Sequence, residues 1–480
     1  MKFKKLAIIL LGFFSYQAKA EIILPRILGN GMVLQQQKPI IIWGTAAIGK
    51  KVNVSFANEQ GSAIAAADGK WKVILSPLKA SALGQNMIIN GTNTIVLKDV
   101  LVGEVWLCSG QSNMEYAMRK NSKVDPKLGE GSSQNPVNEL DFANNKNIRL
   151  FLVNRKELIK PDYLHAGWNT AEGTALRAFS AVAYFFAKKV NQDLNVPVGV
   201  ISSAIPGSRI EPWINEADFV SSTNFKGEKI DGEPAKFYHP MIEPLIPFAI
   251  KGFLWYQGET NCFLKERLTY AQKMEVLING WRKDWNDDQL PFYYVQIAPF
   301  LYTSSQGEVK YTPQDLPEFW EVQAAVSKVP HTAMAVITDL VDDVKGIHPP
   351  YKWEVGRRLA LLALEKTYNE DIVSSGPVFG TMEINNKEII LYFKDAKGLK
   401  SKDGNPLNYF EIASADGNYY PAKAQIKGDK IIVSGKHIKQ PKNVRFAWDE
   451  GAQANLFNSA NLPAQPFRTD NQIINLFNPK

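Results

Sequence analysis

Gly110-Gln111-Ser112-Asn113-Met114-Glu115 follows the apolar run Val105-Trp106-Leu107-Cys108, with Ser109 between them. That run reads as a buried strand and Tyr116 to Lys120 as helix, which puts Ser112 on a tight strand-to-helix turn. A serine there has its hydroxyl at the sheet edge with backbone N–H groups around it, as a nucleophile that attacks esters requires. Read alone, the same residues also describe an ordinary helix start, because Ser and Asn cap helices and Gly marks turns. The choice depends on what else the chain brings to this turn.

Three more segments carry chemistry, and each follows a predicted strand. After Val198–Ser202 comes Pro206-Gly207-Ser208-Arg209-Ile210-Glu211-Pro212-Trp213. Gly207 has no side chain to keep its N–H from an oxyanion, although by itself it reads as a plain turn. Arg209 could grip a carboxylate with two parallel hydrogen bonds or pair with Glu211. After Gly252–Tyr256 comes Gln257-Gly258-Glu259-Thr260-Asn261. The Asn261 amide is an oxyanion donor, and Gln257 and Glu259 crowd further polar groups at the strand end. Gln111, Arg209, Glu211, Gln257 and Glu259 are the expected substrate contacts. After Thr332–Thr338 comes a loop, Asp339 to Pro350, that carries His348. His348 is the natural base for Ser112, whose hydroxyl does not ionise unaided. His165, His239, His331 and His437 lack this position at a strand end.

The elements that must hold these residues belong to an α/β sheet. From Leu101 to Tyr368 the strands named above, with Phe292–Gln296, alternate with helical patterns at Ala181–Val190, Leu268–Trp281, Glu318–Ser327 and Lys352–Leu364. Strands buried on both faces and joined by helices predict a doubly wound parallel sheet, in which ligands bind beyond the C-terminal strand ends. Residues 21–100 show short β runs split by Gly, Asn and Pro, and residues 371–480 return to β texture. Both flanks are predicted as β-sandwiches, with residues 101–370 as the catalytic domain between them.

With 480 residues the chain exceeds one ordinary core. Lys2, Lys4 and Lys5 precede the apolar stretch Leu6 to Phe14, and Ala18-Lys19-Ala20 offers small residues for cleavage. Residues 1–20 therefore read as a signal peptide, which predicts a secreted or periplasmic protein without a membrane span in the mature chain. Cleavage removes four lysines and no acids, so the net charge falls from +7 to +3 and gives no reason to expect nucleic-acid binding. Two cysteines, Cys108 and Cys262, exclude a disulfide scaffold; an exported protein could join them, but the reading favours two buried free thiols. No spacing of metal ligands is visible, so neither metal nor other cofactor is expected.

Nucleophile Ser112, donors Gly207 and Asn261, and a late His348 resemble, in that order, the SGNH hydrolase superfamily. Gly-Gln-Ser-Asn-Met, Trp-Tyr-Gln-Gly-Glu-Thr-Asn and Ile-His-Pro…Lys…Gly-Arg-Arg-Leu-Ala narrow the resemblance to the sialate O-acetylesterase family. Met32-Val33-Leu34-Gln35 and Leu290–Gln296 are similar to that family too, and the likeness runs from about Leu28 to Leu364. It implies a three-layer α/β/α core of the SGNH type, flanking β modules, and hydrolysis of acetyl esters on sugars, with an O-acetylated glycan as partner. One position departs: the superfamily often has Asp three residues before the His, where this chain has Lys345. Asp339, Asp342 or Asp343 could orient His348 as a third member, or a backbone carbonyl could do so in a Ser–His dyad; the spacing of the acids favours the dyad. The motifs serve the acetyl chemistry and leave the sugar open. Acetylxylan or another acetylated polysaccharide, or glycan binding by an inactive core, are the alternatives.

Overall fold

The computed structural model describes residues 21–121, 123–124, 136–153, 167–470 and 472–479. The predicted signal peptide and His165 lie outside the described residues.

The strand Thr94–Gly110 organises the molecule. Its first half pairs antiparallel with Ser81–Asn90. From Val100 onward every residue is buried, as in a strand covered on both faces. The sequence suggested two strands, Thr94–Leu97 and Val105–Cys108, and the structure corrects this to a single strand of 17 residues. Asp99 takes a φ of 55°, and the register against Gln85 and Met87 shifts around it, so the irregularity is absorbed without a break.

Val198–Ala204 and Gly252–Tyr256 pair in parallel on either side of this strand. Phe292–Val295 and Thr332–Ala335 extend the sheet beyond Gly252–Tyr256, and Asn145–Leu152 extends it on the other side, all in parallel. Trp168–Ala171 closes that edge antiparallel. Successive chain segments therefore go to opposite sides of Thr94–Gly110, so the C-terminal end of this strand is a switch point where α/β sheets open a crevice.

Alternate side chains of each strand enter separate cores. Val105, Leu107, Phe253 and Trp255 pack with Leu277 and Trp281 of the helix Leu268–Asp284 and with Phe319 of Asp315–Ala325. Trp106, Cys108, Leu254 and Tyr256 pack with Val182 and Phe186 of Ala181–Leu194 and with Leu359 of Lys352–Lys366. Helices thus cover both faces. Trp255 stacks edge-on against Trp213 and Trp281, with ring centroids 6.2 and 5.9 Å apart. Truncating such a buried ring costs about 3–5 kcal/mol, so this packing contributes strongly to the stability of the face beneath the loops.

Val33–Gln35, Lys51–Phe56, Glu59–Ile64 and Ser81–Asn90 join the same sheet through the first part of Thr94–Gly110, while Ile40–Thr45 pairs with Lys70–Leu75. In the C-terminal region two four-stranded sheets enclose one core, in which Ile389, Leu391 and Val433 meet Phe410, Ile412 and Phe446. Among the described residues no helix is long and apolar enough to cross a membrane.

Candidate active site

Ser112 is the first residue of a four-residue helix that begins where the central strand ends. Gly110 makes the turn possible: its φ is 139°, and a side chain there would run into the Tyr256 carbonyl. The Gln111 N–H donates to that same carbonyl at 3.0 Å, and the Ile205 N–H donates to the Gly110 carbonyl at 3.1 Å. Strand ends on both sides therefore fix the turn.

His348 arrives from the loop after Thr332–Ala335, and its Nε2 lies 2.8 Å from Ser112 Oγ. Burial pushes the imidazole below its ordinary value of 6.5, and the cations Lys352 and Lys120 push it the same way. The neutral ring can accept the hydroxyl proton.

The acids upstream of His348 are engaged elsewhere. Asp339 forms an ion pair with Arg358, Asp342 accepts the Tyr351 hydroxyl at 2.6 Å, and Asp343 accepts the Lys345 N–H at 2.9 Å.

The other two motifs join the same cluster. The Thr260 hydroxyl donates to the Gly207 carbonyl at 3.2 Å, and the Ile210 N–H donates to Asn261 Oδ1 at 3.1 Å. Gly207 takes a φ of 71° with open space where a side chain would be. Asn261 is fully buried; its Oδ1 also accepts from Gln257 Nε2 at 2.7 Å, and its Nδ2 donates to Glu266 Oε1 at 3.2 Å. That leaves one amide hydrogen uncommitted by these bonds.

The expected substrate contacts divide. Gln111, Glu211, Gln257 and Glu259 are buried and spend their bonds on neighbouring segments, so they shape the site from behind. Gln111 Oε1 accepts from the Gly258 N–H, Gln257 Oε1 accepts from the Tyr270 hydroxyl, and Glu211 accepts from Lys273 Nζ at 2.6 Å. Arg209 keeps about a third of its side chain exposed and faces Glu211 and Glu266 at 3.5 and 3.9 Å. Burial raises the Glu266 carboxyl, with Lys273 opposing.

Two residues given no role by their sequence positions stand at the centre. Asn113 is fully buried, and its Nδ2 donates to Glu259 Oε1 at 2.5 Å and to the Ile347 carbonyl at 3.1 Å. Its Oδ1 accepts from Lys352 Nζ at 2.6 Å. The only signals in the sequence were adjacency to Ser112 and a Lys one helical turn after His348.

Cys108 and Cys262 are free and buried, and burial drives both thiols up, Cys262 to about 12. Neither is a nucleophile at neutral pH.

A serine hydroxyl bonded to a histidine, at the C-terminal edge of a parallel sheet with helices on both faces, defines an α/β ester hydrolase. The chain belongs to the carbohydrate esterase family of sialic acid-specific acetylesterases, whose family model matches residues 102–364. It is similar to the sialate O-acetylesterase of Rattus norvegicus, 26% identical over 91% of this chain and 92% of that protein. The sialate O-acetylesterase of Homo sapiens is 26% identical over 92% of this chain and 91% of its own length. A crystal structure of a carbohydrate acetylesterase from Xanthomonas citri is 34% identical, covers 94% of this chain and 100% of its own, and superposes with a TM-score of 0.82.

Proposed function

We propose that this protein is an exported carbohydrate O-acetylesterase that releases acetate from O-acetylated sialic acids through a serine acyl-enzyme. The bond of 2.8 Å between Ser112 Oγ and His348 Nε2 carries this reading, and it favours hydrolysis over glycan binding by an inactive core. Ser112 Oγ attacks the acetyl carbonyl and gives its proton to His348 Nε2. The N–H groups of Ser112 and Gly207, and the remaining Asn261 amide hydrogen, receive the oxyanion. The ester C–O bond breaks, and the departing sugar oxygen takes the proton from Nε2. Water, deprotonated by His348, then attacks the acetyl-serine; acetate leaves and Ser112 regains its proton.

His348 works in a dyad, because Asp339, Asp342 and Asp343 commit oxygens to Arg358, Tyr351 and Lys345. Residues 101–370 form the catalytic domain, an SGNH-type three-layer α/β/α unit, between β-sandwiches at 21–100 and 371–480. The separate core of the C-terminal region supports the boundary near residue 370, and the helix-covered cores on the two faces of the central sheet support the three layers. Export follows from the lysine-led apolar N-terminus.

Sialic acid, the substrate named by the family and its mammalian relatives, needs a cation for its carboxylate, and Arg209 is the candidate. A second reading, a neutral acetylated glycan such as acetylxylan, is favoured by the two carboxylates already facing Arg209. Acetate release from a panel of O-acetylated sialic acids and acetylated xylans, with Ser112→Ala as control, tests both. Release from sialic acids alone supports the first reading, release from xylans alone the second, and release by the serine variant overturns the mechanism.

A further inference from the structure

Lys352 is an expensive residue where it stands. Its side chain is fully buried, and it is the first residue of the helix Lys352–Lys366, at the positive end of the helix dipole. A lysine there stabilises neither the helix nor an apolar core, and such local conflicts gather at functional sites. What surrounds it fits an ammonium. Nζ donates to Asn113 Oδ1 at 2.6 Å and lies 5.0 and 5.1 Å from the ring centroids of Tyr116 and Tyr256.

Asn113 is the link to the chemistry. It follows Ser112 in the chain, and its amide donates to the carbonyl of Ile347, which precedes His348. One buried side chain thus ties the nucleophile's turn to the loop of the base. Its amide must present its N–H₂ to Glu259 and Ile347 and its oxygen to Lys352 at once. An ammonium at the oxygen side, which can only donate, fixes that orientation.

We infer that Lys352, acting through Asn113, is a positioning residue for the reaction: it locks the amide that holds Ser112 in register with His348. The inference rests on the serine–histidine reading above. The titratable and charged groups that face Lys352 are Glu259 from the helix Glu259–Phe263, Lys120 from Met118–Asn121, Tyr116, Tyr256 and His348 itself. Burial and Lys120 pull Lys352 down to about 7 while Glu259 opposes them, and Lys352 in turn holds His348 down.

The test is Lys352→Met in the full chain, with 4-nitrophenyl acetate as substrate. A fall in kcat of about 10²-fold with KM within about twofold is expected, the scale of a small misplacement of reacting groups. The acid limb of kcat/KM should move to higher pH, since a cation near the imidazole is gone. Asn113→Ala should lose kcat to a similar degree with the acid limb in place, because Lys352 remains. Asn113→Ala keeps the inference testable even if Lys352→Met does not fold. Lys352→Met with kcat within about threefold of the parent and an unmoved acid limb, or Asn113→Ala with kcat within about threefold of the parent, would overturn the inference. Activity surviving in Ser112→Ala would instead overturn the serine mechanism on which it rests.

Discussion

Asp339 and Arg358 meet as a buried bidentate ion pair, with Oδ1 2.6 Å from Nη1 and Oδ2 2.8 Å from Nη2. The same guanidinium donates to the Val336 carbonyl at 2.7 Å and to Glu354 at 2.9 Å, and Lys402 of the C-terminal region reaches Asp339 at 3.3 Å. Asp339 therefore anchors the root of the His348 loop. Asp339→Asn leaves a buried guanidinium short of its partner, a change that costs about 3–5 kcal/mol. Denaturant unfolding should show a loss of that order, while kcat/KM per folded molecule stays within about threefold. A triad acid would show the reverse, a fall of about 10⁴-fold with stability kept.

Acid should expose the same pair. Arg358 holds the Asp339 carboxyl below its ordinary value of 3.8 against the opposing effect of burial. The stabilisation is complete above 3.8 and is lost as pH falls through the lower, folded value. Asp339→Asn should flatten the acid side of the stability curve, measured by denaturant midpoints against pH; an unchanged slope would contradict the assignment.

The pH dependence of catalysis follows from His348. Only the neutral ring accepts the Ser112 proton, and burial with Lys352 and Lys120 disfavours the charged ring. The rate should rise with pH through a midpoint below 6.5, the ordinary value. A kcat/KM profile with its acid midpoint above 6.5 would contradict the role of those cations.

Asn261→Ala separates oxyanion chemistry from scaffolding. Its amide satisfies the Ile210 N–H, Gln257 and Glu266, so some stability is lost whatever its role, about 1–3 kcal/mol for buried partners left unpaired. The oxyanion role adds a fall in kcat of about 10²–10³-fold with KM nearly constant. Thermal melts and steady-state kinetics on the same samples read both, and stability loss with unchanged kcat would leave Asn261 a scaffold.

Specificity turns on Arg209. Its guanidinium stands 3.5 Å from Glu211, but Lys273 binds Glu211 more closely at 2.6 Å, so the arginine is only loosely held and partly exposed. Arg209→Ala should raise KM for an O-acetylated sialic acid about tenfold or more, the scale of one charge-assisted hydrogen bond. It should leave 4-nitrophenyl acetate within about twofold. Equal losses on both substrates would make Arg209 a brace for its loop and favour a neutral glycan.

The fold and much of the site were legible because their signals are local. Apolar runs such as Gly252–Tyr256 and helical periodicity such as Leu268–Asp284 are set by burial within one segment. Ser112 and His348 could be paired from their strand-end positions, although 236 residues separate them. What escaped depends on three-dimensional neighbours. Thr94–Leu97 and Val105–Cys108 form one strand because the segment between them finds partners on both sides of a bulge, which no local pattern shows. Arg358 claims Asp339 from a helix 19 residues away, and Lys352 reads in sequence only as the start of a helix. Gln257 and Glu259 were recognised as polar groups crowded at a strand end, but burial turned them inward to Tyr270 and Asn113.

The central claim is that Ser112 forms the acyl-enzyme with His348 as its base. Rapid mixing with 4-nitrophenyl acetate, quenched in acid and read by peptide mass spectrometry, tests it most directly. The account predicts a burst of nitrophenol and one added acetyl group on the peptide that contains Ser112. It also predicts that Ser112→Ala loses the burst, the adduct and at least about 10³-fold in kcat while its melting curve is unchanged. An acetyl group on another residue, or a Ser112→Ala enzyme within about tenfold of the parent, would contradict it.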